Sequence, residues 1–478
     1  MVAAAALYIL ALDPVLDLNG DSPRFVMLAR SIHDGKGYQE HFSPIDYADT
    51  QIPYLYPLML MPLVAVSGPD AYVAFKVLSV VCALSALWSM WFWMSQWTSE
   101  EYARWTVILA AFLVQMQLVA GRIATEAPFL AASFACLGFM ERAARAHSAK
   151  MRDWILCLVF IGISFHLRAA GWSLLATLCI VLLLQKGWRA ALMGGAVGLA
   201  VCSPWLLRVL QYGFAYSEEF QQNTSGPFAF LHRFAYNTAA DIAKALPDLF
   251  LYPVFKPYLP YEPMFLIKAA VGLAIASVLG IGFWKYARTL TLKGLDPTEI
   301  YFVVYLVGAL SWTVSGERYL LPVLPILLWL LITGAGRWRP YITALVLAVG
   351  VTGCAWTAYN ARIGSRPLAE AGFIEAVDWI RNNAPKTDLV MSRYPTWVGT
   401  VTGNRGLRWE EVDDSAAHRK ELVDTRISWV IVDHNKVFRQ AAGDRLLPLI
   451  LSDPEEFELR FQSQTQPPTF VYRFAPRR

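Results

Sequence analysis

Residues 72–94 read YVAFKVLSVVCALSALWSMWFWM, 23 positions in which Lys76 is the one charged side chain. As a helix at 1.5 Å per residue this stretch covers about 35 Å, enough for the ~30 Å hydrocarbon core of a bilayer. Applied outward, the same length test gives ten more crossings, at roughly 1–18, 105–121, 127–140, 154–167, 171–185, 190–207, 264–284, 299–314, 319–334 and 340–356. The expected fold class is a polytopic α-helical membrane protein with about eleven transmembrane helices.

Composition agrees. Of 478 residues 56% are apolar and 16% charged, against about 25% charge in soluble domains, which argues against a cytosolic enzyme. The charge is also uneven: residues 357–478 hold 33 charged side chains in 122 positions, or 27%, and residues 1–356 only 13%. The chain therefore divides into a transmembrane domain, 1–356, with large loops at 19–71 and 208–263, and a soluble C-terminal domain, 357–478. The first crossing is short, contains Asp13 and has no basic residue before it, so the true start is expected upstream. It also lacks the charged n-region and small-residue cleavage pattern of a signal peptide.

Lys and Arg in the loops set the orientation. With the N-terminus in the cytoplasm, the inside loops 95–104, 141–153, 186–189, 285–298 and 335–339 carry 12 basic residues in 46 positions. The opposite loops carry 10 in 102. This bias places the N-terminus inside and, after eleven crossings, the C-terminal domain outside, in the periplasm if the membrane is a bacterial inner membrane. Every cytoplasmic loop is then 14 residues or shorter, too short for a nucleotide-binding fold, and no Walker or GxGxxG motif is present. The energy for any reaction has to come from a substrate reached from the membrane or its outer face, of which an activated lipid is the simplest.

Other classes fall away. The net charge of +4 and the absence of a basic stripe interleaved with aromatics argue against nucleic acid. The six cysteines all lie in apolar stretches without a CxxC, as packing residues rather than zinc ligands or disulfides.

The outer loops are the elaborate ones. In the first, QIPYLYPLMLMPLVAV (51–66) contains an apolar piece broken by Pro53, Pro57 and Pro62; it is too short to span and suits a helix at the interface. Loop 208–263 is rich in aromatics (Tyr212, Phe214, Tyr216, Phe220, Tyr236, Tyr252, Tyr258, Tyr261), as in an interfacial belt. In the C-terminal domain AGFIEAVDWIRNNAP has a helical period, and DLVMS (388–392) and ISWVIVD (427–433) are strand-like, giving a small α/β domain. It holds no defensible set of nucleophile, base and orienting group.

Ionisable residues at the ends of spans are costly in lipid and so mark function. Asp17 and Asp21 follow the first crossing, Lys76 lies one turn into the second, and Arg122 and Glu126 share a six-residue turn. His166 and Arg168 end the fifth crossing, Arg208 ends the seventh, and Glu317, Arg318 and Tyr319 begin the tenth. All lie on the outer side under the charge-derived orientation, and they imply one outward-facing site. Asp21 and Glu126 are the candidate catalytic carboxylates, Lys76, Arg122, Arg168 and Arg318 the candidate phosphate-binding cations, and Tyr56, His166, Arg208, Glu317 and Tyr319 candidate substrate contacts. In glycosyl transfer a carboxylate takes the acceptor proton and Arg forks hold the departing phosphate. Plainer roles are open to each: helix capping for Asp21 and Glu126, and snorkelling to headgroups for Lys76, Arg168 and Arg318.

The first loop, GDSPRFVMLARSIHDGKGYQ followed by PYLYPL, resembles the GT-C superfamily of polytopic glycosyltransferases. The similarity is greatest to the group around family 39, with the protein O-mannosyltransferases and the lipid A aminoarabinose transferase. GRIATEAPFL, HLRAAG, CSPWLLR and SGERYLLPVLPILL resemble that group in the same order, over nearly the whole chain. The resemblance implies an inverting transfer of a sugar from a polyprenyl-phosphate donor to a hydroxyl of a lipid, glycan or protein acceptor at the outer face. It matches the group's acidic positions to Asp21 and Glu126, and its phosphate-binding positions to Lys76, Arg168 and Arg318. Mannosyltransferases of the group often have Asp-Glu in the first loop; here Ser22 follows Asp21, which weighs against protein O-mannosylation. Some relatives bind a divalent metal, but the outer loops offer no DxD and no His pair at ligand spacing, so no cofactor is assigned. Two other readings share the topology: a transporter or flippase, which the lack of inverted repeats disfavours, and a ligase or polymerase using a diphosphate-linked oligosaccharide.

Overall fold

A computed structural model describes residues 1–477 apart from 19–20, 146–149, 214–227, 256–260, 291–294, 313–315, 365–367, 409–414 and 434–441. Its internal contacts separate two compact units. One comprises Met1–Asp13, Thr50–Tyr56 and Val73–Ile363, the other Pro14–Asp49, Pro57–Tyr72 and Gly364–Arg478. The first loop, which the sequence boundary at 356 assigns to the membrane domain, thus groups largely with the C-terminal segment.

The first unit is helical. Among the described residues six helical segments are long and apolar enough to cross a membrane: Tyr72–Trp97, Ala169–Lys186, Trp188–Tyr212, Met264–Ala287, Glu317–Gly334 and Gly336–Arg362. They coincide with six of the eleven expected crossings. Helices also form at three more expected places, Glu126–Arg145, Met151–Leu167 and Pro297–Leu310, without passing the same test of length and composition.

Two expectations change. The crossing placed at 1–18 is a nine-residue helix, Val2–Leu10, about 14 Å long and too short to span. It stops ahead of Asp13-Pro14, where the proline disfavours helical backbone at the residue before it. The crossing placed at 105–121 is two helices, Glu100–Phe112 and Val114–Ala120, bent by 64° at Leu113, whose backbone is extended (φ −71°, ψ 133°). Carbonyls at a helix end inside an apolar body need donors, and side chains supply them. Tyr8 donates its hydroxyl to the Ala111 carbonyl at 2.8 Å, and the Cys354 thiol reaches the Phe112 carbonyl at 3.3 Å. Gln117 donates to the carbonyls of Leu7 and Cys354, both at 3.0 Å.

Close helix approach fixes another part of this unit. A Cβ on Gly282 would overlap the Leu330 carbonyl, and one on Gly334 the Val278 carbonyl, so these two glycines let helix Tyr261–Ala287 lie directly against Leu324–Gly334.

The second unit is α/β. In the first loop, helix Ser22–His33 is followed by a short antiparallel hairpin of β1 (Gln39–Glu40) and β2 (Tyr47–Ala48). Arg24 clamps the hairpin to the helix by pairing with the buried carboxylates of Glu40 and Asp49, the latter at 3.1 Å. The apolar Pro-rich stretch forms helix Leu55–Ser67, 13 residues with Pro62 inside, of which Pro57 onward belongs to this unit.

The C-terminal segment contributes a five-stranded sheet from β3 (Leu389–Met391), β4 (Gly406–Leu407), β5 (Ile427–Val432), β6 (Phe457–Gln462) and β7 (Phe470–Phe474). Its order is β4-β3-β5-β7-β6, with β3 parallel to β4 and β5, and β7 antiparallel to both its neighbours. The expected helix appears as Leu368–Asn383. Within this unit Trp397 donates to the Leu16 carbonyl at 3.3 Å, Thr400 to the Pro23 carbonyl at 3.1 Å, and Arg30 to the Thr400 carbonyl at 2.6 Å. These bonds anchor helix Ser22–His33, and with it Asp21 at its N-cap position.

Candidate active site

Within the helical unit, three of the candidate ionisable residues come together. Glu126 is the first residue of helix Glu126–Arg145, where the exposed N–H groups favour a carboxylate. Arg168 lies just past the end of helix Met151–Leu167, in extended backbone (φ −152°, ψ 140°) before a short 3₁₀ turn at Ala169–Gly171. That turn requires glycine at 171, since a Cβ there would come within 2.5 Å of the Phe165 backbone nitrogen. The HLRAAG sequence thus ends one helix tightly and projects Arg168 back onto Glu126. The two pair at 2.6 Å, with side chains 23% and 14% exposed, and Arg168 also reaches the Thr125 hydroxyl at 3.3 Å.

Arg318 comes from the short helix Glu317–Leu320. It lines a small enclosed space with Glu126, Phe129, Arg168 and Tyr305, and its charge acts on Glu126. Its guanidinium donates to the Tyr319 hydroxyl at 2.9 Å, while Tyr305 donates to the Tyr319 carbonyl at 3.0 Å. Among the described residues no carboxylate lies within salt-bridge distance of Arg318. Two guanidinium groups and one carboxylate leave one positive charge on the walls of this space, which at about 10 Å³ holds no more than a water, so an anion paired with that charge would sit at its opening.

The other candidates lie in different surroundings. Tyr56 is fully buried, with its hydroxyl 3.1 Å from that of Ser79 and its ring within electrostatic reach of Glu126. His166 stacks on Tyr54 with ring centroids 4.9 Å apart, and its Nε2 lies 3.0 Å from the Val201 carbonyl. These two rings border an open apolar groove of about 540 Å³ lined by Gly162 and the exposed side chains of Ile155, Val159 and Val197. Lys76 is buried and pairs with Asp13 at 2.8 Å. Arg208 lies over the Tyr212 ring at 5.0 Å, and Arg122 is exposed.

Asp21 belongs to the α/β unit. Its carboxylate is exposed and makes no side-chain capping bond, while the neighbouring Ser22 hydroxyl donates to Asp17 at 3.2 Å. Of the aromatics of loop 208–263, Phe214, Tyr216, Phe220 and Tyr258 lie outside the described residues, as do the side chains of Tyr252 and Tyr261; Tyr236 is exposed.

Two groups in these surroundings escaped the sequence reading. Tyr305 sits inside an apolar stretch and carries no local signal. Asp241 lies in ADIAKA, in a five-residue π-turn, Asp241–Ala245, a distortion often found at functional sites. It is buried, and its Oδ1 has no hydrogen-bond partner among the described residues. Burial pushes its carboxyl up to about 6, a Gly316 N–H bond opposes the rise, and nearby Glu317 adds to it. An acid in the middle of an apolar run was the available signal. Among the described residues no group of three or more His, Cys, Asp or Glu is arranged to hold a metal ion.

Comparison with solved structures places this architecture. ArnT from Cupriavidus metallidurans in the apo state superposes with a TM-score of 0.59 at 12% identity, over 100% of this chain and 98% of that one. The archaeal oligosaccharyltransferase AglB from Archaeoglobus fulgidus, in complex with an inhibitory peptide and a dolichol-phosphate, gives 0.58 at 11% identity, over 90% and 68%. The chain shares its fold with these two structures. A second ArnT structure, bound to undecaprenyl phosphate, superposes at 0.52 with 12% identity over 100% and 98%. No family model matches the sequence, and no curated protein matches it either. The apolar helices and the shared fold together mark an integral membrane protein.

Proposed function

We propose that the protein is a membrane glycosyltransferase that moves a sugar from a polyprenyl-phosphate donor to an acceptor hydroxyl at the outer face of the membrane. The observation that carries this reading is the Glu126–Arg168–Arg318 cluster on this fold, with its unbalanced positive charge. Structures sharing the fold include ArnT bound to undecaprenyl phosphate and AglB with a dolichol-phosphate, which supports a lipid phosphate as the donor group. The apolar groove beside His166 and Tyr54 suits a stretch of isoprenoid chain.

In the proposed reaction the acceptor hydroxyl gives its proton to a carboxylate base, the role for which Asp21 is the sequence candidate, and its oxygen attacks the anomeric carbon. The bond from that carbon to the phosphate oxygen breaks in the same displacement, inverting the configuration, and its electron pair leaves with the phosphate. Arg168 and Arg318 stabilise the charge that builds there, and Glu126 holds Arg168 in position. The products are the glycosylated acceptor and the polyprenyl phosphate. In this scheme the C-terminal segment lies on the side where transfer occurs. Asp21→Asn, assayed in membranes supplied with lipid-linked sugar, is expected to abolish transfer while the protein still inserts. Full activity in that variant removes Asp21 from the role of base.

A further inference from the structure

The α/β unit contains a cleft that the proposed transfer reaction does not use. It has a volume of about 350 Å³ and is lined by Trp379, Asn383, Pro385, Asp388, Trp429, Arg460 and Arg473. Helix Leu368–Asn383 supplies one wall near its C-terminal end, and strands β5, β6 and β7 supply the floor. The pairing register sets Trp429 on β5 opposite Arg473 on β7, and Arg473 in turn opposite Glu458 on β6.

The side chains are held in place by one another. Trp379 meets Trp429 edge-to-face at 5.5 Å and stacks against Phe461 at 6.0 Å. The Trp429 indole donates to Asp388 Oδ2 at 2.9 Å. The Arg473 guanidinium lies 5.8 Å from the Trp429 ring centre, a cation–π position. Glu458, the neighbouring carboxylate, is taken by Arg460 at 2.6 Å. Among the described residues no carboxylate lies within salt-bridge distance of Arg473.

This set of groups has a chemical preference. Half-buried Trp379 offers an apolar wall to the C–H face of a ring. Asp388 keeps its second carboxylate oxygen as an acceptor, and Asn383, whose amide donates to the Trp379 carbonyl at 2.8 Å, keeps its other N–H and its carbonyl oxygen for a hydroxyl. The exposed Arg473 fork is left to bind a planar or tetrahedral anion bidentately. The volume falls at the small end of the ~300–1,000 Å³ range of ligand sites, which suits a ligand of one or two rings.

We propose that this cleft is a binding site for an acidic monosaccharide unit, a pyranose carrying a carboxylate or a phosphate, separate from the transfer site. Its ligand is an anionic pyranose, recognised by ring stacking on Trp379 and by its anion on Arg473.

The test uses the full chain in nanodiscs and saturation-transfer NMR with titration. The probes are the uronates and 6-phosphates of glucose, galactose and mannose, the neutral hexoses, and inorganic phosphate. At least one acidic sugar is expected to bind saturably and at least tenfold more tightly than its neutral hexose and than inorganic phosphate. Whether uronates or phosphates win identifies the anion. Arg473→Gln is expected to weaken that binding at least tenfold with an unchanged thermal unfolding midpoint, and Trp379→Leu to weaken neutral and acidic sugars alike. Because Arg473 is exposed, its variant remains informative if Trp379→Leu fails to fold. The proposal is overturned if no acidic sugar saturates, if inorganic phosphate binds as tightly as the sugar phosphates, or if Arg473→Gln binds like the wild type. None of these readouts depends on glycosyl transfer.

Discussion

Replacing Arg168 by Met separates its structural role from its chemical one. The Arg168–Glu126 contact is 2.6 Å, which puts the charge centres about 4 Å apart; at an effective dielectric constant of about 20 the attraction is roughly 4 kcal/mol. The 23% and 14% exposures let water reach both groups, so the expected loss of stability from truncating Arg168 alone is about 2–3 kcal/mol. Glu126→Gln alone leaves Arg168 unpaired and is expected to cost about as much. The double variant Glu126→Gln/Arg168→Met leaves neither charge unpaired and is expected to recover about half of the summed loss of roughly 4–6 kcal/mol, a coupling of about 2–3 kcal/mol. Unfolding of the nanodisc-embedded protein, followed by tryptophan fluorescence, measures the cycle.

Transfer activity is expected to behave differently. Loss of a guanidinium that stabilises departing phosphate costs about 10²–10³ in turnover, and restoring charge balance does not replace it. The double variant should therefore be stable and inactive. A coupling below about 0.5 kcal/mol, within the scatter of independent sites, would refute the ion-pair reasoning. Transfer within tenfold of the wild type in the double variant would refute the placement of Arg168 on the phosphate.

Other consequences are open to the same methods. Asp241 holds its proton up to about pH 6 in the folded protein and only to about 3.9 when unfolded. Its contribution to stability is thus full below pH 4 and lost as pH rises through 6. Unfolding midpoints of Asp241→Asn across pH 4.5–7 should show a flatter profile than wild type, and an identical profile removes Asp241 as the titrating group. Gly171→Ala forces a Cβ against the Phe165 backbone and should cost about 1–3 kcal/mol as well as lowering turnover by displacing Arg168; unchanged stability and rate contradict the turn geometry. Tyr8→Phe leaves the Ala111 carbonyl without its 2.8 Å donor at the helix break and should cost about 1–3 kcal/mol, read from thermal unfolding.

Local signals were legible and long-range assembly was not. Apolar length alone located the six spanning segments, and helical or strand periodicity located helix Leu368–Asn383 and strands β3 and β5. Charges at the ends of spans pointed to Glu126, Arg168 and Arg318, because an ionisable group beside lipid has few reasons to be there. The break at Leu113 carries neither proline nor glycine; its stability comes from Tyr8 and Cys354, 103 and 242 residues away from the carbonyls they cap. Lys76 looked like an open cation because its partner Asp13 lies 63 residues earlier. The grouping of the first loop with the C-terminal segment rests on hydrogen bonds such as Thr400 to the Pro23 carbonyl, separated by 377 residues, and no periodicity records such a contact.

The central claim is sugar transfer from a lipid phosphate, and the most direct measurement is the fate of the donor. Purified protein in sealed vesicles is given a polyprenyl-phosphate sugar labelled in both lipid and sugar, with envelope lipids and glycans as acceptors, and the products are resolved by mass spectrometry. The expected result is free polyprenyl phosphate appearing in equal amount with a glycosylated acceptor, and neither product in the Arg168→Met protein. An intact donor that is merely moved from one leaflet to the other would contradict the claim and identify a flippase.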